Sequence, residues 1–126
     1  MPEVAYSLTG VKKLVWLGSA KDDLVEFPEE VRRTMGYALY LAQTGGKHPD
    51  AKPLKGFGGA GVVEVVDDFD GDTYRTVYTI KFVSAVYVLH AFQKKSKRGS
   101  RTPQEDMAII ETRLKRAREL NEKGSS

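Results

Sequence analysis

Apolar residues recur along this chain with two different periods, and the change of period marks out its elements. Val31, Met35, Ala38, Leu39 and Ala42 fall at helical spacing and predict one buried stripe. Pro28 followed by Glu29 and Glu30 supplies the start of that helix, and Thr44-Gly45-Gly46 its end. A shorter helix precedes it, opened by the capping-box-like Ser19-Ala-Lys-Asp22 and carrying Leu24 and Phe27. The last helix opens at Thr102-Pro103-Gln104-Glu105, with Thr102 as N-cap and Pro103 at the first helical position. Its apolar face is Met107, Ile110, Leu114 and Ala117, and Arg113, Lys115, Arg116 and Arg118 cover its flanks and outer side.

Elsewhere the period is that of strands. Residues 11–17 (VKKLVWL) predict a first strand, and residues 62–68, 73–82 and 85–92 predict three more. Asp70-Gly71 is a strong hairpin signal between the first two of these, and Val83-Ser84 separates the next pair closely enough for another. The Gly- and Pro-containing stretch 45–61 is expected to be a connection. Alternation places Arg75, Val77, Thr79 and Lys81 on one face of their strand, and Val86, Val88, His90 and Phe92 together on one face of the next. The expected architecture is α+β in the order β-α-α-β-β-β-α. It is an antiparallel meander with helices packed on one face, leaving the other partly open for chemistry.

Composition narrows the class. A length of 126 residues fits one domain, since single cores span about 100–150 residues. We expect that domain over 1–121, with 122–126 as a flexible tail. With 40% hydrophobic and 10% aromatic residues, a wholly disordered chain is excluded. The absence of cysteine excludes a disulfide framework, a thiolate nucleophile and thiolate metal sites. No apolar run approaches the roughly 20 residues of a membrane span, and the start lacks the pattern of a signal peptide, so a soluble cytoplasmic protein is expected.

The net charge of +3 says little, but its placement says more. Between Thr73 and Gln104 there are seven basic residues and no acid: Arg75, Lys81, Lys94, Lys95, Lys97, Arg98 and Arg101. Such a stretch attracts a polyanion, or else forms a solubilising face or docks an acidic partner. Interleaved aromatic residues favour nucleic acid. Within the strand, Arg75 suits a bidentate phosphate clamp, or a structural pair with Asp67, Asp68 or Glu64. Lys52 and Lys55 lie in the loop entering the meander, among glycines that let a ligand approach the backbone. His90 suits a general acid or base, or else a satisfied histidine at the core edge. GFGGAG precedes a strand, so it is no dinucleotide fingerprint. No metal-ligand motif or phosphate-binding loop is present, and the acids around Asp70 read as a solvated hairpin tip, so neither metal nor cofactor is expected.

AKPLKG, the hairpin through GDTYR, and VYVLHAFQKKSK followed by the TP helix start together resemble the phage-type HigB branch of the RelE/ParE toxin superfamily. The resemblance covers most of the chain, in the same order of elements. It implies the toxin of a type II toxin–antitoxin pair, a metal-independent endoribonuclease cutting mRNA in the ribosomal A site. The implied partner is a cognate, HigA-like antitoxin, commonly of helix-turn-helix type. By the same resemblance Arg75 contacts the scissile phosphate, Lys52 and Lys55 are loop cations, and Lys94, Lys95 and Lys97 form the basic run after the last strand, of which Lys94 and Lys95 join Arg75 as catalytic cations that stabilise transition-state charge. Arg98 extends that run towards the substrate, and His90 is a candidate for proton transfer.

Many relatives place a tyrosine, or a His-Tyr pair, near the C-terminal end. Here the last strand ends in Phe92 and no tyrosine follows Tyr87. Phe92 or Tyr87 suits stacking on a base, and Phe92 cannot carry a proton. An ordinary lysine, with a pKa near 10.4, is a poor base at neutral pH, which leaves the base unassigned. Two other readings share the fold: a ParE-like, non-enzymatic inhibitor of a protein such as gyrase, and an inactive prophage remnant.

Overall fold

A computed structural model describes residues 11–59, 61–94 and 102–124. The elements are β1 (Lys13–Trp16), α1 (Ala20–Val25), α2 (Glu29–Gln43), β2 (Ala51–Pro53), β3 (Val62–Phe69), β4 (Asp72–Thr79), β5 (Ala85–Lys94) and α3 (Gln104–Gly124). The α+β class and the order of the expected elements stand, with one strand more. Helix α2 buries the five residues of the predicted stripe, and Gly45 ends it at φ +88° while the Gly46 amide donates to the Leu41 carbonyl. Asp70 and Gly71 both take positive φ, as a two-residue hairpin turn requires.

Three expectations need correction. The connection 45–61 contains β2, which pairs antiparallel with β3 at the sheet edge, where Pro53 can sit without breaking a ladder. The sheet is not purely antiparallel: its order is β1-β5-β4-β3-β2, and β1 runs parallel to β5. Finally, the helices cover both faces. Phe27, Val31, Met35 and Leu39 pack against Val63, Val65, Tyr74, Tyr78 and Val86 on one side. Ile110, Leu114 and Ala117 pack against Val62, Val77, Tyr87 and Leu89 on the other. The cause is in the strands: β5 is apolar on both sides, with Val86 and Val88 on one and Ala85, Tyr87 and Leu89 on the other, so each side needs a cover. Helix α3 also runs on to Gly124, through positions expected to fray. Among the described residues no helix is long and apolar enough to cross a membrane.

The most consequential irregularity lies in β5. Val77 faces His90 and Tyr78 faces Val88, so Leu89 is an extra residue, a β-bulge. The Arg113 guanidinium donates to the Leu89 carbonyl at 2.9 Å and to the Ser19 hydroxyl at 3.2 Å. Arg113 therefore serves as a brace under the bulge as well as a flank residue of α3. It fits there because Gly18, at φ +55°, has no side chain: a Cβ would lie 2.6 Å from the guanidinium. Gly18→Ala is expected to lower stability by about 1–2 kcal/mol, through a strained φ and a displaced Arg113, read as a reduced denaturant midpoint.

At the far end of β3, burial raises the Asp67 carboxyl above its ordinary value, although the Thr34 hydroxyl bonds it. Asp68 and Asp50 push in the same direction, and His48 opposes them. A raised carboxyl means that the fold prefers the protonated form, so the carboxylate is destabilising at neutral pH and is relieved as pH falls. Asp67→Asn is expected to unfold at slightly higher temperature than the parent at pH 7. The gap should close as the pH falls through the carboxylate range.

Candidate functional site

The bulge reorganises the faces. Residues opposite one another in a ladder share a side of the sheet, and Arg75 faces Phe92, Val77 faces His90 and Thr73 faces Lys94. Arg75, His90, Phe92 and Lys94 thus occupy one side, the side covered by α3. Val86 and Val88 belong to the opposite core, so the expectation that they share a face with His90 and Phe92 is overturned. Strict alternation cannot survive an inserted residue. Lys52 joins the same side through β2, where it faces Glu64. Lys55 lies exposed beyond the end of β2. Lys95, Lys97 and Arg98 lie outside the described residues.

Arg75 is a buried cation, with a side chain only 4% exposed. Its Nη1 donates to Glu64 Oε1 at 3.1 Å and to the Thr102 hydroxyl at 3.3 Å. The partner is Glu64, one of the three acids the sequence offered, because Glu64 lies diagonally across the β3–β4 ladder on the same side. Lys94 is also buried. His90 is buried and stacks its ring on Phe92, with centroids 4.8 Å apart. Its Nε2 lies 2.7 Å from Asp106 Oδ1, and its buried Nδ1 has no hydrogen-bond partner.

Two groups in this site escape the sequence reading, Asp106 and the Thr102 side chain. Asp106 had a signal: it stands four residues before Ile110, on the buried stripe of α3, and an acid on such a stripe requires a partner. The sequence announces Thr102 only as a helix cap, yet its hydroxyl accepts from Arg75. One aromatic candidate is withdrawn. Tyr87 is buried beneath α3, edge-to-face on Phe82, and has no free ring face for a base. Tyr78 is fully buried, and burial pushes its hydroxyl up to about 12, far from a useful proton carrier at neutral pH.

The surroundings of the site are mixed in charge. A groove of about 530 Å³ reaches His90 and Phe92 along the stretch of β5 that β1 leaves unpaired, with Asp23 and Glu26 of the α1 segment on its far wall. Another, of about 480 Å³, runs beside α3 between Phe57 and the side chains of Glu111, Lys115 and Arg118. Among the described residues no three His, Asp or Glu side chains are grouped to hold a metal.

The order of elements, with a basic and aromatic patch on the central strands, defines an α+β domain. A sequence model of the family described as phage derived protein Gp49-like (DUF891) matches residues 22–115, and the chain belongs to that RelE/toxin-like family. No curated protein matches the chain. A solved structure similar to it is the toxin–antitoxin complex RelBE2 from Mycobacterium tuberculosis, at 19% identity and a TM-score of 0.44. The match covers 68% of this chain and 94% of that one.

Proposed function

We propose that the chain is the toxin of a type II toxin–antitoxin pair, a metal-independent endoribonuclease that cuts mRNA on the ribosome. It would be held inactive in the cytoplasm by a cognate antitoxin of helix-turn-helix type. The observation that carries this reading is the β4–β5 register, which gathers two cations, an imidazole and an aromatic ring on one side of the sheet. Cleavage of RNA by its own 2′-hydroxyl needs cations for the charge that grows on the phosphate, together with a base for the hydroxyl proton. Arg75 and Lys94 supply the first and His90 the second, and Phe92 suits stacking on a base. In the free chain Glu64 and Thr102 engage the Arg75 guanidinium, so a phosphate competes with a carboxylate for it. Lys95 would add to the charge beside Lys94, and Lys52, Lys55, Lys97 and Arg98 would bind flanking phosphates.

The test is induction of the full chain alone in a bacterial host, followed by primer extension on an abundant transcript. Growth arrest with new in-frame 5′ ends, both lost in Arg75→Lys, is the expected result. Growth arrest with intact mRNA would overturn the ribonuclease reading in favour of a protein target. Unimpeded growth would mark the chain as inactive.

A further inference from the structure

His90 and Asp106 form a pair that the proposed ribonuclease role leaves unexplained in detail. Asp106 comes from the first turn of α3 and His90 from β5, sixteen residues away, and they meet at 2.7 Å. A carboxylate in that position accepts a hydrogen bond from Nε2–H and selects the tautomer protonated there. The other nitrogen, Nδ1, then carries a lone pair. It is buried and unpartnered, and buried polar atoms without a partner are uncommon enough to demand a reason. A buried histidine serving only the core would have both nitrogens satisfied or its ring exposed at one edge. Here one nitrogen is fixed by an acid and the other is kept vacant.

We infer that Asp106 is the positioning residue that holds His90 as the Nε2–H tautomer and leaves Nδ1 as the acceptor of the ribose 2′-hydroxyl proton. The inference rests on the ribonuclease reading above and deepens it by assigning the nitrogen of His90 that takes the proton and the residue that orients it. In the step it describes, the proton leaves O2′ for Nδ1 as the O2′–P bond forms. The P–O5′ bond breaks, and the departing 5′ oxygen takes a proton from water. The products are a 2′,3′-cyclic phosphate and a free 5′-hydroxyl, and the imidazolium returns its proton to solvent. The Asp106 carboxylate stabilises that transient imidazolium across Nε2. Nδ1 is shielded from solvent in the free chain, so it becomes usable on engagement with RNA. Phe92, which lies against the ring and is itself only partly buried, is the neighbour with room to give way.

The experiment combines a spectroscopic readout with kinetics on the full chain. Nitrogen-15 chemical shifts of the two imidazoles, assigned with His90→Gln, report the tautomer directly. His48 serves as an internal reference, because its Nδ1 accepts the Asp50 amide and so is unprotonated when the ring is neutral. The expected result is Nε2–H at His90 in the parent and a mixture of tautomers in Asp106→Ala. Single-turnover cleavage of a short RNA in a translating extract should fall by about 100-fold in Asp106→Ala, with the RNA concentration at half-maximal rate unchanged. Asp106→Asn, which keeps an acceptor oxygen without the charge, should fall between the two, and guards against a loss of fold. A parent His90 protonated at Nδ1 would overturn the assignment, as would Asp106→Ala cleaving within twofold of the parent, and in both cases the ribonuclease reading stands. A parent chain that cleaves no RNA overturns the ribonuclease reading and the base role together.

Discussion

Arg75→Ala is expected to abolish RNA cleavage and also to lower the stability of the fold by about 3 kcal/mol. Of the two roles the sequence offers Arg75, a phosphate clamp alone would leave the fold intact on removal, whereas a structural pair would not. The structure shows the pair. The guanidinium lies within the core side of β4 and carries Glu64, whose side chain is itself 13% exposed. Removing one partner strands a largely desolvated carboxylate, and the penalty comes from the charge left behind more than from the attraction lost. The two effects separate with a second substitution. Adding Glu64→Gln to Arg75→Ala should recover a large part of the stability and none of the cleavage. Arg75→Lys should keep most of the stability while losing the planar fork that matches a phosphate. Denaturant midpoints and a cleavage assay on the same four proteins check both claims. Loss of activity that merely tracked loss of stability across the set would remove Arg75 from the proposed chemistry.

Ile110→Ala is expected to cost about 3 kcal/mol and to lower cleavage as well. Ile110 is fully buried between α3 and the sheet, so truncation opens a cavity in addition to losing the transfer energy of the side chain. Its position gives it a second consequence. One turn earlier on the same stripe stands Asp106, and Thr102 lies just before the helix, so Ile110 is the apolar anchor that seats both against His90 and Arg75. A helix freed at this point leaves the two basic groups without their partners. Ile110→Val, which removes one methylene, should cost about 1 kcal/mol and keep cleavage near the parent level. Midpoint shifts at constant denaturant slope, together with single-turnover rates, test the pair.

The parts of the molecule that were legible in the sequence are those decided locally. The stripe of α2, its Gly45 terminus and the Asp70-Gly71 turn each depend on residues within a few positions of one another, and the chain states them plainly. What escaped depends on partners far away. Ala51–Pro53 is a strand only because β3 offers an edge, and nothing in three residues containing a proline announces that. The placement of α3 on the second face follows from how β4 and β5 divide their apolar residues, which is visible only once their register is known. The site divides in the same way. Arg75, His90, Phe92 and Lys94 are conspicuous as residue types, whereas Glu64 as the chosen partner, Thr102 and Asp106 become meaningful through contacts across eleven, twenty-seven and sixteen positions.

The extra residue at Leu89 carries a consequence of a different kind. A strand knows only odd and even, and the bulge changes the parity of everything after it. Upstream of it, Val86 and Val88 look towards α1 and α2; downstream, His90 and Phe92 look the other way. Were the same residues to pair in a regular ladder with none left over, Leu89 would face Val77, and Ala91 and Gln93 would face Arg75 and Thr73, turning the imidazole and the lysine towards the first core. Loss of Leu89 itself would keep His90 opposite Val77 and Phe92 opposite Arg75, so the sides of the site would survive it. The proposed activity thus depends on one residue being left out of the ladder as much as on the chemistry of the residues kept in it.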